Sequence, residues 1–263
     1  MNKISSKLIV AVFLFVAASF FGVFNPYAAY ANHSWGGYHW ARTSNPFTLK
    51  LGDNLSSSWK TYLGTASNDW SVSTVLDTNV VVGQSKGNCQ PTRGRVEVCN
   101  KAYGTNGWLG LAQIWVSGLH ITQGATKLND TYFNTSKYNT PGWKNLVMCQ
   151  EVGHTLGLDH QDENFSNANL GTCMDYTSNP LGLPSNEHPN THDYDQLSLI
   201  YAHLDSFTTA GQGITTKEKA KIVEDVEDSN EWGKEVKRKG KTAIFERDFG
   251  SGNKLFTFVI YTD

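Results

Sequence analysis

The sequence predicts an α+β fold, and three patterns carry that prediction. Apolar–polar alternation near the start of the chain and again at its end has the period of half-buried strands. Between them lie three stretches with apolar residues at helical spacing, two of them opened by recognisable capping residues. Short β-branched runs separated by Gly-containing turns fill the rest. At 263 residues the chain is long enough to bury a core around a cleft.

Taken in order, Lys3 and Lys7 precede an apolar run over residues 8–24, followed by Ala29-Tyr30-Ala31. A positive start, an apolar stretch and a small-x-small site read as a secretory signal peptide over residues 1–31, with the mature chain beginning at Asn32. A permanent anchor is the rival reading, but the run is marginal for a membrane span. A secreted, extracellular protein with no stable membrane anchor after cleavage is expected. Phe47-Thr48-Leu49-Lys50-Leu51 alternates as a strand. A helix capped by Asp53 or Asn54 follows, with Leu55, Trp59, Tyr62, Leu63, Ala66 and Trp70 on its apolar face.

Residues 71–108 offer one β-branched segment, 78–82, and otherwise a Gly- and Cys-bearing loop region. Strands are expected at 111–116 and 119–121. Thr140 as cap and Pro141 in the first helical position open a second helix, running through Leu146, Val147, Val152 and Leu156 to Gly157. A third, over about residues 192–204, aligns Tyr194, Leu197, Ile200, Tyr201 and Leu204. Alternating charges over 216–241 mark a solvated helix or linker. Residues 243–249 and 254–261 flank Gly250-Ser251-Gly252-Asn253 as a β-hairpin. The division is a signal peptide at 1–31, a main domain at 32–207, and a charged linker with a hairpin extension at 208–263.

A formal net charge of -2 gives no electrostatic reason to expect nucleic acid as a partner. Eight tryptophans and eleven tyrosines suit a rigid extracellular domain without separating peptide from glycan binding. Export makes two disulfides the economical use of Cys89, Cys99, Cys149 and Cys173. Of three pairings, proximity in sequence favours Cys89 with Cys99 and Cys149 with Cys173.

The segment Gln150-Glu151-Val152-Gly153-His154-Thr155-Leu156-Gly157-Leu158-Asp159-His160 places positions 150 and 154 one helical turn apart, on one face, with a carboxylate beside them. It resembles the metzincin zinc signature H-E-x-x-H-x-x-G-x-x-H at every defined position but the first. Cys173-Met174-Asp175-Tyr176 is similar to the Met-turn of the same family. The resemblance covers roughly residues 40–205. It implies a twisted, mainly parallel sheet with a long active-site helix, the Met-turn, a C-terminal helix and, in this chain, the hairpin extension.

By the same resemblance His154 and His160 bind Zn²⁺, Glu151 is the general base that takes a proton from the attacking water, and Met174 forms the floor. Tyr176 binds the zinc or stabilises the oxyanion, and Gly157 turns the backbone so that His160 reaches the metal. The implied activity is that of a metalloendopeptidase acting on protein or peptide substrates, with a monomer expected. The region 118–128 would then be the edge strand along which substrates align.

Gln150 stands where a histidine is the rule. Its amide oxygen binds zinc itself, or His188 or His192 supplies the third ligand, or the site is a degenerate remnant; retention of Glu151 favours the first two. The rivals to a peptidase are a secreted binding protein on the same fold and a zinc hydrolase of a non-protein amide. Asp162 and Glu163 offer oxygens for calcium, or a carboxylate to orient His160, with a solvated acidic turn as the plainer reading. His33, His39, His120 and His203 read as structural or exposed side chains. No stretch long enough for a folded propeptide separates Ala31 from the first strand, which points away from zymogen control.

Overall fold

The computed structural model describes residues 32–85, 87–211 and 229–262. The expected signal peptide and the middle of the charged linker lie outside the described residues. Nine strands form one mixed sheet. β1 (His39–Trp40), β2 (Phe47–Asn54), β3 (Leu76–Val82), β4 (Arg95–Lys101), β5 (Trp108–Ser117) and β6 (His120–Asn129) precede the helical segment. β7 (Lys234–Lys239), β8 (Thr242–Gly250) and β9 (Asn253–Tyr261) close the chain. The strand order is β3-β2-β4-β6-β5-β9-β8-β7, with β1 pairing to β6 off this path.

Pairings among β1, β2, β3, β4 and β6 are parallel, whereas those of β5 and of all three C-terminal strands are antiparallel. The expected mainly parallel sheet is therefore parallel only in its N-terminal half. The parallel neighbours β2 and β3 are joined through α1 (Lys60–Trp70), the crossover that parallel pairing requires.

That helix starts later than expected. Trp59 occupies its N-cap position without a side-chain cap bond, because Asp53 and Asn54 are the last residues of β2. The second expected helix is α3 (Pro141–Thr155), preceded by the short α2 (Asp130–Phe133). Thr140 caps α3 by accepting from the Trp143 N–H, and Pro141 stands in the first turn. The closing helix is α4 (Thr191–Ile200), where Asn190 and Asp193 form a reciprocal capping box.

The larger core lies between α1, α3 and the sheet, around Trp40, Leu63, Trp70, Leu146, Val152 and Ile114. A second apolar cluster, including Trp108, Leu111, Trp115, Trp232, Leu255 and Val259, covers the opposite face of β5 and β9. β5 is thus buried on both faces along nearly its whole length.

Besides the two-residue β1, two strands escaped the sequence pattern, for opposite reasons. β4 is interior yet carries the buried Arg95–Glu97 pair at 2.9 Å, and Gly52 of β2 leaves the space that pair fills. β7 is an exposed, charged outer strand of the sheet, a composition that reads as linker. The hairpin expected over residues 243–261 is present as β8 and β9 but is no appendage. Through β9 it continues the main sheet along β5.

Candidate metal centre

α3 carries Gln150, Glu151 and His154 into the interior, where each is at most 1% exposed. Helical spacing stacks Gln150 one turn from His154. The Gln150 amide nitrogen donates to the Cys173 carbonyl at 2.9 Å, while its Oε1 is buried without a hydrogen-bond partner. The disulfide Cys149–Cys173 ties the residue before Gln150 to the residue before Met174, and Cys89–Cys99 is the other bridge. Both pairs are those that proximity favoured.

His154 Nδ1 lies 2.9 Å from the Leu158 carbonyl. The carbonyl only accepts, so Nδ1 carries the proton and Nε2 keeps its lone pair. Gly157 has φ +96°, and a Cβ there would lie 2.2 Å from the Tyr38 carbonyl oxygen. Glycine is what allows the chain to leave α3 along the N-terminal segment, where the Trp35 N–H donates to the Gly157 carbonyl. His160 then returns to His154, with ring centroids 4.7 Å apart and planes nearly perpendicular. Its Nδ1 faces Glu163 at 3.5 Å and Asp159 at 3.6 Å.

The expected solvated turn at Asp162 and Glu163 is corrected here. Glu163 is largely shielded and paired with Lys237 at 2.8 Å. Burial pushes its carboxyl up, but hydrogen bonds from His160 and Lys237 outweigh this and hold it at about 2. Asp159, His160 and Glu163 offer ligand atoms within 4.8 Å of one another, yet the Lys237 ammonium already sits on both carboxylates. Asp162 accepts from the backbone N–H of Asn164 and from the Asn167 side chain. Nothing in these contacts supports calcium.

Met174 lies beneath α3: a Cβ on Gly153 would approach its sulfur to 2.6 Å. Tyr176 is buried with its ring 6.5 Å from that of His160. His188 turns to Asp69 at 2.7 Å, and His192 stacks on His33 with centroids 4.9 Å apart. Among the described residues, no group of three His, Cys, Asp or Glu ligand atoms within 4.8 Å contains His154.

Glu151 lies under β5, where only a glycine fits: a Cβ on Gly110 would be 3.1 Å from Glu151 Oε1. Burial raises the Glu151 carboxyl well above the usual range, and its Oε2 has no hydrogen-bond partner. Burial, joined by the neighbouring His160, lowers His154. The unpartnered amide and carboxylate oxygens and the two neighbouring imidazoles fit the oxygen and nitrogen donor preferences of zinc.

The region 118–128 is not the edge strand. β6 is interior, and the free side of β5 is taken by β9 in antiparallel register, with Ala112 opposite Phe258 and Ile114 opposite Phe256. Phe258 stacks on the His154 ring at 4.5 Å and 11°. Neither Phe258 nor Lys237 was singled out in the sequence. Alternation marks β9 as a strand but carries no information about which edge it joins.

No family model and no curated protein sequence matches the chain. Two solved structures overlay on it loosely. One is described as the structure of myroilysin, 12% identical, covering 61% of this chain and 82% of its own, with a TM-score of 0.34. The other is high choriolytic enzyme 1, a hatching enzyme zinc-protease from Oryzias latipes, the medaka fish. It is also 12% identical, covers 62% of this chain and 94% of its own, and has a TM-score of 0.32. Overlays this loose leave the chemistry of the site to its own geometry.

Proposed function

We propose that the chain is a secreted zinc-dependent endopeptidase of metzincin type whose centre is closed by its own C-terminal strands. The observation that carries the reading is the convergence of donors in one buried place. Gln150 has a free amide oxygen, His154 is held through Nδ1 with the His160 ring beside it, and Glu151 has a free carboxylate oxygen.

Gln150, His154 and His160 would hold the ion. When bound, zinc supplies Lewis acidity, polarising the scissile carbonyl and acidifying water. Glu151 takes a proton from the attacking water at Oε2 and returns it to the leaving amine, and burial raises its affinity for that proton. Tyr176 donates to the developing oxyanion, a role it holds by resemblance to the family. Met174 and the Cys149–Cys173 bridge support the floor beneath the ligands.

An extended peptide that adds to β5 has to take the place of β9. The described conformation is thus read as latent, with Phe258 over His154 and Lys237 over Asp159 and Glu163. The same closure favours one rival, a binding protein that cleaves nothing. A specific protease site introduced within residues 212–228 and cut in the purified protein separates the two. Release of the C-terminal strands is expected to start zinc-dependent cleavage of a fluorogenic peptide mixture, abolished by Glu151→Ala. Peptide binding without cleavage by the released, zinc-loaded protein would overturn the peptidase reading.

A further inference from the structure

Three histidines that read as ordinary side chains in the sequence meet at a single carboxylate far from α3 in the chain. His39 is on β1, His120 opens β6 directly opposite it in the parallel register, and His203 and Asp205 follow α4. His39 Nε2 lies 3.1 Å from His203 Nε2 and 3.6 Å from Asp205 Oδ2. His120 Nε2 lies 3.2 Å, and His203 Nε2 3.8 Å, from Asp205 Oδ1. The rings of His120 and His203 stand nearly perpendicular to that of His39, at centroid distances of 5.0 and 4.5 Å.

Ion pairing alone explains this poorly. Asp205 already binds Arg42, with Nη1 at 3.0 Å and the Arg42 backbone N–H at 3.2 Å on the same Oδ2. One carboxylate engaged by a guanidinium does not neutralise three further imidazolium ions. The His39 tautomer is defined: its Nδ1 lies 2.8 Å from the Gly37 carbonyl and so carries the proton. That leaves the His39 Nε2 lone pair facing His203 Nε2.

A tetrahedral ion with metal–nitrogen bonds of ~2.0–2.1 Å spaces its ligand atoms about 3.3 Å apart. The ligand atoms of His39, His203 and Asp205 all lie within 4.8 Å of one another, and their contacts of 3.1, 3.6 and 3.8 Å bracket that value. Asp205 Oδ1 is the oxygen turned to His120 and His203, while Arg42 anchors Oδ2 from outside, as carboxylate ligands are commonly held. His203 is half exposed, so an ion can enter from solvent.

We infer that His39, His203 and Asp205 form a second transition-metal site, of the class that takes zinc, independent of the centre on α3, with His120 positioning the Asp205 carboxylate. Its three protein ligands tie β1 to the segment after α4 and leave the remaining position to solvent on the side of the half-exposed His203. Imidazole ligands select zinc-like ions over calcium or magnesium.

The test is Zn²⁺ alone, titrated at pH 7.5 into the full purified chain after chelation, with Co²⁺ as a visible-absorption probe. Two equivalents are expected in the wild type. In His154→Ala one remains, with a tetrahedral Co²⁺ spectrum, and His203→Asn or His120→Asn in that background weakens its binding at least tenfold. Circular dichroism confirms folding, and His203 is exposed enough to replace without disturbing the core. If the wild type binds one ion that survives His154→Ala and is lost in His203→Asn, the inference stands and the centre on α3 fails. Loss of all binding in His154→Ala, or uptake unaffected by both His203→Asn and His120→Asn, would overturn the inference.

Discussion

Replacing Phe258 by alanine tests whether the C-terminal strands are a removable cover. The side chain is fully buried, stacked on His154 at 4.5 Å and set edge-on to Trp35 at 5.7 Å. Truncating a buried Phe costs about 3–5 kcal/mol. If β9 leaves β5 while the rest of the fold persists, Phe258 is solvated in the open state of wild type and variant alike. The whole cost then falls on the closed state, and the open population rises by about a hundredfold or more, since ~1.4 kcal/mol is a factor of ten.

The assay is turnover of a fluorogenic peptide by zinc-loaded protein, beside a control of similar destabilisation. Leu63→Ala removes a fully buried residue of α1, part of the core that stays packed whether or not β9 is seated. Turnover should rise about a hundredfold or more in Phe258→Ala and stay near wild type in Leu63→Ala. Equal increases in both would mean that the centre is exposed only by global unfolding. No increase over Glu151→Ala in either would refute the reasoning.

Gln150→His should tighten zinc binding by about tenfold or more in competition with a chelator, because imidazole nitrogen is a better ligand than an amide oxygen; unchanged affinity would show that position 150 does not ligate. Gly157→Ala combines φ +96° with a Cβ 2.2 Å from the Tyr38 carbonyl, so urea unfolding should show a loss of more than ~2 kcal/mol, and a loss below about 1 would show that the turn relaxes. Burial lowers His33 to about 4 and raises Asp193, 3.6 Å away, to about 6. Unfolding lets His33 take up a proton between about pH 4 and 6.5, so its contribution is lost on acidification. Unfolding makes Asp193 release one between about pH 4 and 6, so its contribution is lost as pH rises. The two nearly cancel in the wild type, and Asp193→Asn should expose a fall of about 3 kcal/mol from pH 7 to 4; a flat profile in that variant would contradict a buried neutral His33.

Local chemistry was legible in the sequence wherever it depends on spacing along the chain. The cap and first proline of α3, the one-turn separation of Gln150 and His154 and the glycine at 157 follow from backbone geometry over a few residues, whereas the cysteine pairings, 10 and 24 residues apart, were favoured by proximity alone. The boundaries of α1 were not legible, because β2 continues through Asn54 and uses the polar residues that resemble a cap. β4 hid behind a charged pair whose burial makes sense only once Gly52 faces it.

What only the tertiary structure decided is long-range. Period-two alternation says that residues 253–261 form a strand but not that its partner is β5, since every sheet edge presents the same backbone donors and acceptors. Closure of the centre by Phe258 and Lys237 follows from that choice of edge. The histidine cluster on Asp205 is of the same kind: its members come from β1, β6 and the chain after α4, and only the packing that brings β1 to the segment after α4 turns isolated imidazoles into a possible ligand set. The sequence by itself determined which residues can do chemistry on one helix; the fold decided what reaches them.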